Sequence, residues 1–158
     1  MKSDILICIA LIISSFIVCF TINQCVKEDD TILLPEHPHY LLEDVNEEVL
    51  YQTLIHYEFP EPAIITAQAV LETGNFKSRL CLNNNNLFGL YNSSKLEYYK
   101  FDSWVSCIFA YKKFILNKYD GEDYYEFLHK IGYAEDPKYI DKVKSIELRI
   151  IEKYENKN

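Results

Sequence analysis

The strongest constraint in this sequence is an apolar stretch that begins at Pro62 and stops at Gly74. Gln68 and Glu72 are its only charged or amide side chains, so the stretch predicts a helix buried at the centre of a domain. Pro62 suits the first helical position, and Gly74 suits the left-handed position after the last turn. An ionised carboxylate at the end of a buried helix loses hydration. Proteins therefore retain such a group mostly when it has a charged or hydrogen-bonding partner or takes part in function. Glu72 is therefore the first candidate for a functional residue.

Two interpretations of Glu72 follow from this position. Burial raises the pKa of a carboxyl group, and the negative end of the helix dipole adds to that effect. Both effects favour a proton held near neutral pH, which a general acid needs. In the alternative, Glu72 reaches the solvent at the end of the helix. Gln68 lies one turn earlier on the same helical face, and we expect it to bind substrate beside Glu72.

The remaining patterns predict further helices and one short β-hairpin. A capping box that starts at Asp44 predicts the first helix of the domain. Later helices are predicted to begin at N-caps supplied by Asp102 or Ser103 and by Asp136, with a short helix between them from about Asp123 to Ile131. Residues 87–101 read as strand, turn and strand, and such a short hairpin must lean on helices to be stable. The sequence thus predicts an α+β, mainly α domain over residues 44–158.

The N-terminal part of the chain predicts export. Residues 5–22 form an apolar run at the short end of what a membrane helix needs. Lys2 precedes the run and acidic residues follow it, which predicts a cytoplasmic stub over 1–4 and a domain on the extracytoplasmic side of the cell envelope. An uncleaved transmembrane anchor, a cleaved signal and a lipoprotein signal remain open alternatives. Residues 23–43 lack a helical or alternating period and predict a linker.

Charge and cysteine usage exclude several classes of function. The formal net charge of −8 argues against nucleic acid as a partner, since no basic cluster is present to release counterions. The cysteines show no metal-binding spacing, so no metal and no cofactor is predicted. Cys81 and Cys107 are expected to be two buried free thiols or, in an exported domain, a disulfide. The oligomeric state is not predicted.

Three motifs in order along the chain carry a resemblance. They are ETG at residues 72–74, NNLFGL at 85–90 and GYAxDPxY at 132–139. Together they resemble the glucosaminidase family of bacterial cell-wall hydrolases (glycoside hydrolase family 73, flagellar-muramidase-like), over residues 46–151. The resemblance implies a lysozyme-like fold. It also implies cleavage of the β-1,4 bond between N-acetylglucosamine and N-acetylmuramic acid in the glycan strands of peptidoglycan.

The resemblance also assigns roles to particular side chains. It places the catalytic acid at Glu72 and aromatic substrate-lining positions at Phe88, Tyr133 and Tyr139. Independently of it, the last residue of the asparagine run at 83–86 is a candidate for the cleft, because an Asn amide offers both donors and an acceptor to a sugar amide. We therefore expect Asn86 to bind substrate as well.

The identity of a second catalytic group stays open. Many family members carry a second acid in a longer hairpin, whereas the short hairpin predicted here contains only Glu97, which faces either the cleft or the solvent. Two carboxylates would permit inverting or retaining hydrolysis. With Glu72 alone, the N-acetyl group of the substrate would act as nucleophile, or the enzyme would be a lytic transglycosylase. A catalytically weak glycan-binding module of the envelope is the alternative from another class.

Overall fold

The computed structural model describes residues 44–156 of the chain. Its elements, in chain order, are α1 (Glu47–His56), α2 (Pro62–Thr73), α3 (Arg79–Asn84), β1 (Tyr91–Asn92), β2 (Glu97–Tyr98), α4 (Trp104–Phe114), a 3₁₀ turn (Leu116–Lys118), α5 (Tyr124–Lys130) and α6 (Tyr139–Tyr154). The two strands form an antiparallel pair, with Tyr91 opposite Tyr98 and Asn92 opposite Glu97. The predicted α+β, mainly α class is confirmed for this part of the chain.

Helix α2 is the centre of the core, as its apolar sequence predicts. It packs against α1 and, more extensively, against α6. Ile65, Ala67 and Gln68 on it have no exposed surface. Pro62 occupies the first helical turn, and Gly74 ends the helix in the left-handed conformation with a φ of 57°. Both termini of α2 therefore lie where the sequence predicts them, because Pro and Gly act through their own backbone preferences.

Helix α1 begins later than predicted. The side-chain oxygen of Asn46 accepts hydrogen bonds from the backbone N–H groups of Glu48 and Val49, each at 3.0 Å. Asn46 is therefore the N-cap, and the capping box predicted to start at Asp44 is wrong. Glu47, which that box would have used as a cap partner, is buried against the last helix instead.

The contact between Glu47 and α6 joins the two ends of the domain. The carboxylate of Glu47 accepts hydrogen bonds from Arg149 Nη2 at 2.5 Å, from Lys153 Nζ at 3.1 Å and from the Tyr154 hydroxyl at 3.2 Å. Residues at opposite ends of the domain sequence are thereby linked through one buried acid. The predicted amphipathic character of α6 fits this arrangement, since Val143 and Ile150 on it are fully buried.

A short helix, α3, follows α2 and was not predicted from the sequence. Ser78 caps α3, and its hydroxyl oxygen accepts from the backbone N–H of Cys81 at 3.1 Å. The helix then runs into the asparagine run and ends at Asn85, which is left-handed with a φ of 50°. Asn85 is thus a turn residue, whereas Asn83 lies inside the helix. A capping serine, rather than the asparagines, sets the local structure here.

The hairpin is much shorter than predicted. Leu87, Phe88 and Leu90 were expected to form its first strand, but all three are buried in the helical core outside the strand pairing. The turn between the strands is closed by Asn92, whose side-chain oxygen accepts from the backbone N–H groups of Ser94 and Lys95 at 3.1 Å. In the first half of the predicted hairpin, the side chains are buried against helices, and the carbonyl of Leu90 accepts from the backbone N–H of Tyr99 at 3.0 Å.

The later helices begin close to their predicted caps. The hydroxyl oxygen of Ser103 accepts from the backbone N–H of Ser106 and caps α4, and the carboxylate of Asp123 caps α5. Helix α6 begins later than the predicted cap at Asp136. Asp136 accepts from the backbone N–H of Lys138 at 2.9 Å in a turn that precedes the helix, and the helix proper starts afterwards, with Lys138 at the N-cap position.

The N-terminal predictions lie outside the described residues. These are the stub over 1–4, the anchor or signal over 5–22 and the linker over 23–43. Within residues 44–156, no helix is both long and apolar enough to cross a bilayer.

Candidate active site

An open cavity of about 550 Å³ lies beside the end of α2. Its walls come from the end of α2, the segment before the hairpin, the hairpin itself, the end of α4 with the 3₁₀ turn, and the loop after α5. The residues that line it are Glu72, Leu80, Phe88, Gly89, Leu90, Tyr91, Tyr98, Tyr99, Phe114, Ile115, Lys118, Ile131, Gly132 and Tyr133. A cavity with aromatic walls and a few polar groups is typical of a small-molecule or sugar site.

Glu72 enters this cavity because of how α2 ends. The hydroxyl of Thr73 donates to the carbonyl of Ala69 at 2.6 Å and accepts from the backbone N–H of Phe76 at 2.7 Å. Together with the left-handed Gly74, these bonds fix the turn that follows the helix. Glu72 thus projects from the last turn of a rigid, buried helix, and its Oε2 lies 3.7 Å from the position that a Cβ on Gly89 would occupy.

The surroundings of Glu72 shift its acidity in two directions. Its side chain as a whole is exposed to the cavity, yet nearby protein atoms remove part of the water around its carboxylate. This desolvation raises the pKa of Glu72 above its ordinary value, and a hydrogen bond from the Tyr139 hydroxyl partly offsets the rise by lowering the pKa. The group therefore holds a proton more tightly than an ordinary glutamate does, which suits a general acid.

Gln68 does not reach the cavity. It is completely buried, and its amide nitrogen donates to the Tyr139 hydroxyl at 3.2 Å while its amide oxygen accepts from the Tyr111 hydroxyl at 3.0 Å. The Tyr111 hydroxyl also lies 3.0 Å from that of Tyr124. The expectation that Gln68 binds substrate is therefore corrected, because both ends of its amide are used inside the core. Gln68 instead holds Tyr139, the hydrogen-bond partner of Glu72.

Asn86 is likewise a structural residue rather than a cleft residue. Its side chain is 1% exposed. The amide nitrogen donates to the carbonyls of Leu90 at 2.9 Å and Tyr99 at 3.0 Å, and the amide oxygen accepts from the backbone N–H of Leu90 at 2.9 Å. The expectation that Asn86 binds substrate is corrected for this reason. Its amide instead ties the segment after α3 to the segment that follows the hairpin.

Of the three aromatic positions implied by the resemblance, Phe88 and Tyr133 line the same cavity as Glu72. Phe88 lines the cavity but is only 3% exposed, with its ring 4.2 Å from that of Tyr111. Tyr133 also lines the cavity, and its hydroxyl donates to the carbonyl of Phe88 at 3.2 Å. Tyr139 lies behind this wall, with its ring 5.7 Å from that of Tyr133. The three rings therefore form a packed layer in which Tyr133 and Phe88 face the cavity.

A second cavity of about 430 Å³ adjoins the loop after α5. Gly132 and Tyr133 line both cavities, and Tyr139 lines only the second. The GYAxDPxY motif thus forms the divide between the two cavities. Glu135 and Asp136 lie on the second cavity, where Asp136 forms an exposed ion pair with Lys142 at 2.6 Å.

Glu97 lies on the hairpin and is exposed, paired across the strands with Asn92. It is not among the residues that line the Glu72 cavity. The neighbouring Tyr98 and Tyr99 both line it, although successive side chains of a regular strand point to opposite sides. A two-residue strand does not keep the alternation of a longer one, so the orientation of these side chains was not predictable from period alone.

Several cavity residues were missed by sequence reasoning. Tyr91 and Tyr98 line the cavity from the hairpin. Lys118 contributes a positive charge to the lining from the 3₁₀ turn after α4. The pairing of two tyrosines across a short predicted hairpin was a usable signal for the first two. For Lys118 the sequence offers no signal, because its position depends on how the end of α4 packs.

The described residues contain no group of metal-ligating side chains. Cys81 and Cys107 are both free and buried, as predicted in the first of the two alternatives. The sulfur of Cys107 accepts a hydrogen bond from the backbone N–H of Leu87 at 3.3 Å. Burial raises the pKa of the Cys107 thiol to about 12, so it is an inert core group.

The chain is similar to known proteins in two comparisons. Residues 48–156 match the family model for glucosaminidases, described as mannosyl-glycoprotein endo-beta-N-acetylglucosaminidase. Among solved structures, the chain is similar to the crystal structure of the catalytic domain of the autolysin Auto from Listeria monocytogenes. The identity is 19% and the TM-score is 0.43, over 84% of this chain and 94% of that one. None of the curated proteins matches the chain.

Proposed function

The chain belongs to the glucosaminidase family, whose model matches residues 48–156, and from this premise we propose that it is a glycoside hydrolase of peptidoglycan. It cleaves β-1,4 bonds next to N-acetylglucosamine, with Glu72 as the general acid. The observation that carries the proposal is a carboxyl group of raised pKa on the wall of an aromatic-lined cavity. The three motifs that resemble the cell-wall branch of the family support peptidoglycan as the substrate.

The chemistry assigned to Glu72 is proton donation to the departing glycosidic oxygen. Desolvation keeps the proton on the carboxyl group before the reaction, since it raises the pKa of Glu72. The Tyr139 hydroxyl then stabilises the carboxylate that remains after donation, because it hydrogen-bonds the charged form. Gln68 supports this arrangement by donating to the oxygen of the same hydroxyl, which leaves the Tyr139 proton available for Glu72.

The reaction needs a group that attacks or stabilises the sugar carbon. Glu72 is the only carboxylate among the described residues that line this cavity, and Glu97 lies on the hairpin outside that lining. This observation favours two routes that need one protein carboxylate. In one, the N-acetyl group of the substrate attacks and water completes hydrolysis. In the other, a sugar hydroxyl attacks and the enzyme is a lytic transglycosylase, which is the second candidate function.

Digestion of purified peptidoglycan by the full-length chain, followed by mass spectrometry of the products, tests the proposal. We expect new reducing ends at N-acetylglucosamine for hydrolysis, and anhydro products lighter by one water for a transglycosylase. Glu72→Gln should lower turnover by roughly 10²- to 10⁴-fold, which is the usual contribution of a general acid. Glu152→Gln, which removes an exposed carboxylate from α6, is the matched control and should retain activity.

Three results would contradict the proposal. Unchanged turnover by Glu72→Gln would remove Glu72 from the reaction. Release of glycans from a mannosyl-glycoprotein, with intact peptidoglycan left uncut, would move the substrate to the class named in the family description. Retention on peptidoglycan with no released fragments would instead favour the glycan-binding module as the function.

We also propose that the domain works in the cell envelope, on the extracytoplasmic side of the membrane, held there by residues 5–22. The apolar run and the charges that flank it support this location. Protease treatment of intact cells and of spheroplasts tests it. The domain should be digested without lysis, whereas protection until lysis would place it in the cytoplasm.

A further inference from the structure

Two tyrosines on the hairpin are about half exposed. Tyr91 is 49% exposed and Tyr98 is 52% exposed. They are directly opposite each other in the strand register, with ring centroids 5.2 Å apart and ring planes at 75°. Large aromatic rings left half open to solvent on a short element indicate a surface that contacts something else.

The hairpin is attached to the core by other side chains. Tyr99 stacks on Phe101 at 5.9 Å and on Phe114 at 5.4 Å. Asn86 holds the carbonyl of Tyr99 and both backbone groups of Leu90. These contacts anchor the hairpin from its inner side. The Tyr91–Tyr98 pair is therefore free to face the cavity, and both of its rings line the same cavity as Glu72.

We propose that the Tyr91–Tyr98 pair is a sugar-binding subsite that holds an N-acetylglucosamine-containing glycan beside Glu72. This inference rests on the proposed function, and it assigns substrate binding to side chains outside the three motifs. The steep angle between the rings forms a corner. A pyranose that lies against one ring has the second ring beside it, and the two hydroxyl groups are available to its polar substituents.

A glycan is the expected ligand of the Tyr91–Tyr98 pair because the pair lines the same cavity as Glu72. A glycan positioned for protonation by Glu72 must extend past the cavity walls, and the hairpin is one of those walls. The ordinary role of a cross-strand aromatic pair is to stabilise its hairpin. That role predicts a change in stability on mutation and no change in glycan affinity, so the two roles are separable by experiment.

The test measures glycan binding without turnover, in the full-length chain carrying Glu72→Gln, by calorimetry with the hexamer of N-acetylglucosamine. Tyr91→Ala and Tyr98→Ala should each weaken binding by about 3- to 10-fold, which corresponds to the loss of one aromatic contact. Phenylalanine at either position should retain most of the affinity. Leu96→Ala is the matched control, since Leu96 is 77% exposed on the same hairpin and outside the cavity lining.

Kinetics of the same substitutions with Glu72 intact complete the test. KM for peptidoglycan should rise by about the same 3- to 10-fold, while the pH dependence of turnover stays that of the wild type. Fluorescence of the buried Trp104, which is 6% exposed, reports whether each variant is folded.

Several outcomes would overturn the inference. These are alanine variants that bind and turn over glycan like Leu96→Ala, absence of hexamer binding by the parent protein, or a change in self-association with unchanged glycan affinity. Failure of the proposed function looks different. In that case the wild type leaves peptidoglycan uncut, whatever the tyrosine variants do to hexamer binding.

Discussion

At the scale of single residues, Glu72 is shaped by two opposing influences. Desolvation raises its pKa and the Tyr139 hydroxyl lowers it. The rise dominates, so the folded protein disfavours the charged form of Glu72. A raised folded-state pKa gives a stability contribution that is complete below the unfolded pKa and is lost as pH rises through the folded pKa. Glu72 therefore costs stability at neutral pH, as a group kept for function would.

Glu72→Gln should accordingly stabilise the fold while it lowers turnover. At neutral pH the variant should unfold at a higher urea concentration than the wild type, because it carries no charge to desolvate. Below the ordinary pKa of 4.5 the two proteins should unfold alike, since Glu72 is then protonated in both the folded and unfolded states. A variant that is less stable than the wild type at neutral pH would show that the carboxylate is a structural group.

Gln68 acts on Glu72 only through Tyr139. Gln68→Leu removes the donor to the Tyr139 hydroxyl and the acceptor for Tyr111. It should lower the free energy of unfolding by about 1–3 kcal/mol, the usual loss for a buried polar group left without its partner. Without Gln68 the Tyr139 hydroxyl is less well directed at Glu72, so the pKa of Glu72 should rise further.

The pH profile of kcat/KM measures this effect, since its alkaline limb reports the free enzyme's general acid. That limb should move to higher pH in Gln68→Leu. Gln52→Leu, at an exposed position on α1, should leave both the limb and the stability unchanged. A loss of stability with an unmoved limb would mean that Gln68 supports the core without influencing Glu72.

At the scale of elements, the hairpin depends on one asparagine amide. Its two-residue strands are too short to be stable alone. Asn86, with three hydrogen bonds to Leu90 and Tyr99, closes the loop between α3 and the hairpin. The hairpin wall of the cavity is thus positioned from inside the core and not by its own strand pairing.

Asn86→Ala should destabilise this element strongly. Each buried backbone group that loses its partner costs roughly 1–3 kcal/mol, and the urea midpoint should fall accordingly. Amide hydrogen exchange should increase first over the hairpin. Asn83→Ala, an exposed position in the same run, should change the free energy of unfolding by less than about 0.5 kcal/mol. Equal effects of the two substitutions would refute the role assigned to Asn86.

At the scale of the whole molecule, Glu47 joins the start of the domain to its end. Burial raises the pKa of Glu47, but hydrogen bonds and charge from Arg149 and Lys153 outweigh it, so the pKa lies below its ordinary value of 4.5. A lowered folded-state pKa gives stability that is present above the unfolded pKa and is lost as pH falls through the folded pKa. The closure of α1 onto α6 is therefore acid-sensitive.

Glu47→Gln should lower the free energy of unfolding by about 1–3 kcal/mol at neutral pH, because charged hydrogen bonds to α6 are lost. The difference from the wild type should shrink as the pH falls below the ordinary pKa of 4.5. Glu48→Gln removes an exposed charge from the next position and serves as the control. Urea titrations across the acid range give the comparison, and a difference that stays constant with pH would contradict the charged role.

The sequence by itself determined the features that depend on local residue patterns. The buried α2 follows from its apolar circumference, and its ends follow from Pro62 and Gly74. The starts of α4 and α5 follow from the capping side chains of Ser103 and Asp123. The place of Glu72 in the last turn of α2 was predictable for the same reason, because helical spacing and capping are decided within a few residues.

Only the tertiary structure decided how the polar side chains are used. Gln68 and Asn86 look like ligand-binding amides in the sequence, but their partners come from distant segments and occupy both ends of each amide. Glu47 was predicted to serve its own helix and instead binds α6. The cavity position of Tyr91 and Tyr98 has the same origin. Hydrogen-bond partners and burial depend on how elements pack, and that information is not local to any stretch of the chain.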